Sequence, residues 1–413
     1  MDELSLSEST QLYFGRGKEL ETGRLVKFYG GSRVLILYSE EAYKIKGLAN
    51  KIKRSLEQSG LDFIECANVS KNPRLSVIED GIAACEKIDA DFILAVGNGY
   101  CFSAAKSISV GVYHPTQLKE MFKKDFQIDK ALPIGAIVTV PGCGFVASGQ
   151  MSMTLVNSQG TLDFFVRESD KLKPQFAILN PELLNFSRRQ LCESIINILA
   201  RVIERYLAPK VASELSDRIC ESIISTLVSM WYRLKDMPGD YEAYANIMWS
   251  GIMLNAQIFS NLPDNPVLEK VKRGVGSLYD CSRTEALSLI LPAFLQMDMV
   301  ASPNRLAQLG NRCFGVELDF QHPENTAYRT LEIIRKFIKS SGLPQCFEDL
   351  GGSPSDLPRL VDLILKQSQF DDNVQENENG DRVTQMITPK VRFDRTGVEI
   401  LLSLILMENK GCV

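Results

Sequence analysis

The sequence predicts a parallel α/β domain followed by an all-helical domain, on three observations. Between residues 33 and about 180, short β-branched runs alternate with helical patterns, as parallel strands joined by crossover helices require. Two of those runs end in glycine turns, "DFILAVGNG" and "PIGAIVTVPGCG". From Ser187 onward the apolar spacing is helical almost throughout. The change of character after "FAILNPELL" sets a boundary within residues 181 to 187, giving an α/β domain over 1–183 and an all-α domain over 184–413.

In order, "RVLILY" (33–38) reads as a strand, Glu41 to Ser59 as a helix and "LDFIEC" (61–66) as a second strand. "PRLSVIEDGIAACEKI" (73–88) is an amphipathic helix, "DFILAVGNG" (91–99) a buried strand running into a turn, and "PIGAIVTVPGCG" (133–144) repeats that pattern. In the helical half, "LPDNP" and "LGGSPSDLP" separate helices. The acidic, nearly apolar-free "FDDNVQENENGDR" (370–382) is expected to be a mobile surface loop before the last helix.

Composition narrows the function classes. At 413 residues with 45% hydrophobic content, the chain is long enough to fill two cores. Its net charge of -5 is spread rather than blocked, which argues against nucleic-acid and membrane-surface roles. The polar start "MDELSLSEST" and the short apolar stretches point to a cytoplasmic protein. The ten cysteines include no CxxC pair, which leaves zinc ribbons and disulfide frameworks without support. With only His114 and His322 in the chain, one subunit cannot supply three imidazoles.

One stretch stands out. "LCESIINILARVIERYL" (191–207) is an apolar helix that carries Asn197 and Arg201 four residues apart on one face of its apolar stripe.

Six segments taken in order resemble the iron-containing alcohol dehydrogenases, especially their butanol dehydrogenase branch. "STQLYFGRG" is similar to the family's "PT.I.FGKG", and "FILAVGNGYCFSAAKSIS" to "LLAVGGGSVIDxxKxIA". "TVPGCGF" stands where the family has "TLPATGSE", and "FAILNPELLNFSRRQL" resembles "FAVLDPxxTxTLPxRQ". "YEAYANIMWSG" and "EALSLILPAFL" match "Y.ARANIMWAA" and "ALAIVLPAxL". The resemblance covers nearly the whole chain. It implies a Rossmann-like nucleotide-binding domain, a helical domain of the dehydroquinate synthase-like type, and iron or zinc between the two. It further implies NAD(P)-dependent oxidation of alcohols or reduction of aldehydes.

The family's metal is held by one Asp and three His. Aligning "NILARVIERY" with the family's "DAxxHxxExY" puts Asn197 at the aspartate and Arg201 at the first histidine. The other two ligand positions fall on Glu269 and Arg283, and a further substrate-side histidine falls on Arg273. A guanidinium has no lone pair to donate and is always charged, so neither iron nor zinc is expected.

At the cofactor loops, the resemblance assigns dinucleotide contacts to Gly97, Asn98, Gly99, Tyr100, Ser103 and Lys106, and to Pro141, Gly142, Cys143 and Gly144. Gly97, Gly99, Lys106, Pro141 and Gly144 keep the family's residue types. Asn98 replaces the middle glycine, Tyr100 a serine and Ser103 an aspartate, while Phe145 and Val146 replace the Ser and Glu of "TGSE". NAD(P) binding is thereby left open.

Two readings of the altered metal positions follow. In one, Arg201 and Glu269 pair, with Asn197 as filler, and the chain is a non-catalytic regulatory or partner protein, forming a homodimer or a heteromer with another protein. In the other, Arg273 and Arg283 grip a small anionic ligand, and Lys106 or a tyrosine moves protons in a metal-independent reaction. Cys101 and Cys143 are weaker candidates as nucleophiles, and His114 is expected past a helix end.

Overall fold

The computed structural model describes residues 10–70, 72–122, 126–142, 144–184, 187–207, 214–254, 266–367, 386–388 and 391–408. The chain forms two compact units. The first comprises residues 1–155, 164–185 and 237–258, and the second 156–163, 186–236 and 259–413.

The first unit is built on a six-stranded parallel sheet. Its strands are β1 (Gln11–Phe14), β2 (Arg33–Ser39), β3 (Asp62–Val69), β4 (Phe92–Gly97), β5 (Ile134–Val138) and β8 (Phe176–Leu179), in the order β1-β8-β5-β4-β2-β3. Between β5 and β8 the chain makes a separate two-stranded ribbon, β6 (Gln150–Val156) with β7 (Leu162–Glu168). The helices interleaved with the sheet strands are α1 (Thr22–Phe28), α2 (Glu40–Tyr43), α3 (Leu48–Gln58), α4 (Leu75–Ile88) and α5 (Gly99–Gly111).

The central strands β4 and β5 are buried at every position, which explains why they read as continuous apolar runs rather than alternating ones. Packing is close around Phe176, whose ring stacks on Tyr29 and Phe92. A Cβ at Gly135 would come within 2.4 Å of that ring, so the strand beside it needs a glycine.

The structure departs from the sequence expectation at two places in this unit. The helix expected over 41–59 is two helices, α2 and α3, because Gly47 adopts the left-handed conformation (φ 80) at the α3 N-cap and breaks the run. "QLYF" (11–14) forms the edge strand β1, paired in parallel with β8. Leu12, Tyr13 and Phe14 follow one another without alternation, so the stretch carries no period-2 signal.

The second unit is helical. It contains α6 (Arg188–Leu207), α7 (Glu214–Asp236), α9 (Pro266–Tyr279), α10 (Arg283–Ala301), α11 (Pro303–Phe314), α12 (Pro323–Ser340), α13 (Leu357–Gln367) and α14 (Arg395–Glu408), with a short pair β9 (Met386–Thr388) and β10 (Val391–Arg392). At its centre is α10, which packs against α6, α9, α11, α12 and α14. A Ser282–Glu285 capping box starts this helix. By length and hydropathy α10 could cross a bilayer, but 72% of its apolar window is buried in this unit, as a core helix requires.

Helix α8 (Tyr241–Met253) follows α7 in the chain yet belongs to the first unit. Its Trp249 meets Phe14 edge-on, and the Arg16 guanidinium lies 3.7 Å over the Tyr241 ring. In the second unit, Trp231 of α7 makes the corresponding edge contact with Phe337 of α12. The acidic stretch 370–382, expected as a surface loop, lies outside the described residues.

Candidate functional site

In an open parallel sheet, ligands bind beyond the carboxyl ends of the strands. Here that edge has two parts. On the β1, β8 and β5 side, α8 packs against the turns Gly144–Ala147 and Pro181–Leu183. On the β4 and β2 side lie the glycine turn and α5.

Gly97 has φ +154, and a Cβ there would lie 2.6 Å from Ser39 Oγ, so the ends of β4 and β2 are locked together through this glycine. Ser39 itself caps α2, accepting from the Ala42 N–H at 3.2 Å. Asn98 is the N-cap of α5, and its Oδ1 accepts from the N–H groups of Tyr100 (3.1 Å) and Cys101 (3.2 Å). The Asn98 Nδ2 points to Glu41 Oε2 at 3.4 Å. Glu41 was not a sequence candidate, although its place just past the end of a parallel strand was a readable signal.

The rest of α5 is turned into the core. Every residue from Cys101 to Gly111 is buried, so this helix carries almost no amphipathic signature. Ser103 Oγ lies 2.7 Å from Ser152 Oγ and accepts from the Ser152 N–H at 2.6 Å, tying α5 to β6. The Cys101 thiol donates to the Leu37 carbonyl at 3.3 Å with no exposure, which is a core environment and not that of an accessible nucleophile.

Lys106 is fully buried, and its Nζ donates to the Ser148 carbonyl at 2.5 Å. Burial pushes the amine down to about 7, against the upward pull of Glu168. Tyr100 is half-buried, Pro141 is buried and Gly142 half-buried. Gly144 opens a short 3-10 turn, and Cys143 lies outside the described residues. His114 follows α5 and meets Phe126 edge-on at 5.0 Å.

The metal-position residues fall in the second unit. Asn197 and Arg201 are half-buried on α6. Glu269, in the first turn of α9, is engaged from three sides. Lys272 Nζ lies 2.7 Å from its carboxylate, Arg273 Nε 3.5 Å and Arg283 Nη1 3.8 Å. Burial alone would raise the Glu269 carboxyl, but Lys272, Arg283 and Arg273 together hold it well below the usual carboxylate range. The structure brings Glu269 together with Lys272, Arg273 and Arg283. The spacing of Lys272, three residues from Glu269 on a helix, was a readable cue.

Two family descriptions match the chain in sequence, "Iron-containing alcohol dehydrogenase" over residues 9–181 and "Fe-containing alcohol dehydrogenase family, C-terminal" over residues 192–390. The probable NADH-dependent butanol dehydrogenase 1 of Bacillus subtilis is 26% identical over 363 residues, covering 87% of this chain and 93% of that protein. NADH-dependent butanol dehydrogenase A of Clostridium acetobutylicum is 25% identical over 362 residues, 87% of this chain and 92% of that one. The crystal structure of NADH-dependent butanol dehydrogenase A from Thermotoga maritima has the same fold, with a TM-score of 0.87 at 24% identity over 98% of this chain and 99% of that chain. With the parallel sheet, the helical unit and both halves of the sequence in agreement, the chain belongs to the iron-containing alcohol dehydrogenase family.

Proposed function

We propose that this family member has replaced its metal ligands with a cationic cluster and acts without metal-assisted hydride transfer, as a non-catalytic regulatory or partner protein. The observation that carries this reading is the environment of Glu269. It is the one carboxylate at the positions matched to the family's ligands, and it is already engaged by Lys272, Arg273 and Arg283.

A dication needs neutral or anionic donors, and two of the four matched positions, Arg201 and Arg283, carry guanidinium groups with no lone pair. The charge balance points the same way. A unit cation about 4 Å from a dication costs on the order of 8 kcal/mol at an effective dielectric of 20, and a single carboxylate returns about as much. With three cations against one carboxylate, these residues do not fit the family's iron or zinc. In that family chemistry the metal polarises the substrate oxygen, and no group in the cluster replaces a dication in that role.

The experiment is a metal determination on the purified chain, combined with NADH- and NADPH-dependent reduction of butyraldehyde with and without added Fe²⁺ or Zn²⁺. We expect metal far below one per chain and no metal-dependent turnover. One bound ion per chain with metal-dependent turnover would refute the reading.

The regulatory or partner reading carries with it a homodimer or a heteromer with another protein. Light scattering of the pure protein and co-purification from the native host test it. A monomer that brings down no specific partner counts against it.

A second reading has its own observation. The Arg283 and Glu269 side chains keep 30% and 31% exposure, so solvent reaches the cluster and a small carboxylate could enter it. Thermal shifts with acetate, succinate and phosphate separate the two readings, because only an anion site gains stability with ligand concentration.

A further inference from the structure

The α5 N-terminus carries an inference that involves none of the residues around Glu269. A dinucleotide places its pyrophosphate on the N–H groups that open the helix after the glycine turn. In α5 the Phe102 N–H already bonds to the Asn98 carbonyl, so the first-turn donors without a helical acceptor are those of Gly99, Tyr100 and Cys101. Asn98 Oδ1 accepts from two of these three.

The amide orientation follows from its partners. Oxygen must face the two N–H donors, and the NH2 group then faces the Glu41 carboxylate. Space is not the obstacle, because a Cβ built at Gly99 meets nothing within 4 Å. What stands in a phosphate's place is a neutral oxygen fixed by its own backbone, with a carboxylate beside it.

We propose that Asn98 is an internal occupant of the pyrophosphate position, held by Glu41, and that it makes the chain discriminate against NAD(P). A glycine at this position would leave the donors free for phosphate. Asparagine spends them on an intramolecular cap, and Glu41 adds repulsion toward any anion that displaces it.

The test measures binding and needs no turnover. NADH is titrated into the full chain and followed by its fluorescence, and ADP by calorimetry, with far-UV circular dichroism melting of each variant as the check on folding. Glycine is tolerated at an N-cap, so Asn98→Gly is expected to fold and to bind NADH and ADP at least about ten-fold more tightly than the unaltered chain. Asn98→Asp retains the cap and adds charge, so it is expected to show no gain. Glu41→Gln leaves the cap in place and is expected to give a smaller gain, about two- to five-fold.

Equal affinity of the unaltered chain and Asn98→Gly would overturn the proposal, as would a gain in Asn98→Asp matching that of Asn98→Gly. Should Asn98→Gly fold poorly, Glu41→Gln decides, and an absent gain there overturns it. The metal-free reading of the Glu269 cluster is untouched by any of these results, since metal content decides it separately.

Discussion

Glu269 shows how position on a helix and charge act together. In the first turn of α9 a carboxylate complements the positive end of the helix dipole, and Lys272 and Arg273 follow at the i+3 and i+4 positions that face it. Arg283 opens α10, where a cation opposes the dipole, and Glu269 offsets that. Because its pKa is depressed in the folded chain, the stability Glu269 contributes is fully present above its unfolded pKa and is lost as pH falls through the folded value. Glu269→Gln is therefore expected to lower the unfolding free energy by roughly 1–3 kcal/mol at pH 7, because three cations lose their carboxylate. The deficit should shrink as pH falls below the unfolded carboxyl range, because the unfolded chain then takes up a proton that the folded chain does not. Urea unfolding at pH 7 and at pH 3 checks this, and no deficit at pH 7 would contradict it. Part of this was legible in the sequence. The resemblance aligned Glu269, Arg273 and Arg283, whereas Lys272 matches no ligand position and is visible only once α9 is drawn as a helix. Asn98 read as a replacement for glycine, but an asparagine directly before a helix is also a cap, and that second meaning decides its role.

Among the elements, α5 departs furthest from a surface helix. A helix buried on all sides gives no periodic pattern, so its packing against β4 and α4 and its tie to β6 through Ser103 could not be inferred from spacing. Lys106 lies within it with its amine lowered to about 7. A lysine depressed on folding costs stability at neutral pH, and the cost is relieved as pH rises from the folded pKa toward the usual lysine range. Lys106→Met is expected to be more stable than the unaltered chain at pH 7, by on the order of 2–4 kcal/mol, with the gain fading toward pH 10. Chemical unfolding across that range measures it, and a gain independent of pH would point to packing alone. Strand positions were the most legible elements, since β2, β4 and β5 are runs of buried apolar residues bounded by turn residues. The breaks were less so. Gly47 splits a helix by backbone conformation, and β1 gains its strand character only from pairing with β8.

At the scale of the whole molecule, two buried groups, one in each unit, respond oppositely to pH. In the second unit Asp298 is buried, and its Oδ2 has no hydrogen-bond partner among the described residues. Burial pushes its carboxyl up to about 7, against the pull of Arg305. A carboxyl raised on folding favours the native state while protonated, so Asp298 destabilises its unit progressively as pH rises from about 4 to 7. The Lys106 effect instead strengthens the first unit from pH 7 upward. Asp298→Asn is expected to stabilise the second unit by on the order of 2–4 kcal/mol at pH 8 and by much less at pH 4.5, leaving the first unit unchanged. Hydrogen exchange resolved by peptide, corrected for intrinsic rates, separates the two units. A uniform shift across both would contradict the assignment. The division into a parallel sheet unit and a helical unit was legible from periodicity, but the membership of α8 in the first unit was not. Only contacts such as Phe14–Trp249 reveal it, and they join residues far apart in sequence.

The chain has two tryptophans, and they fall one to each unit, Trp249 edge-on to Phe14 and Trp231 edge-on to Phe337. Each indole is therefore a native optical reporter of its own unit. Replacing one with phenylalanine leaves a chain whose emission follows the other unit alone, so the order in which the two cores open can be followed without an attached dye.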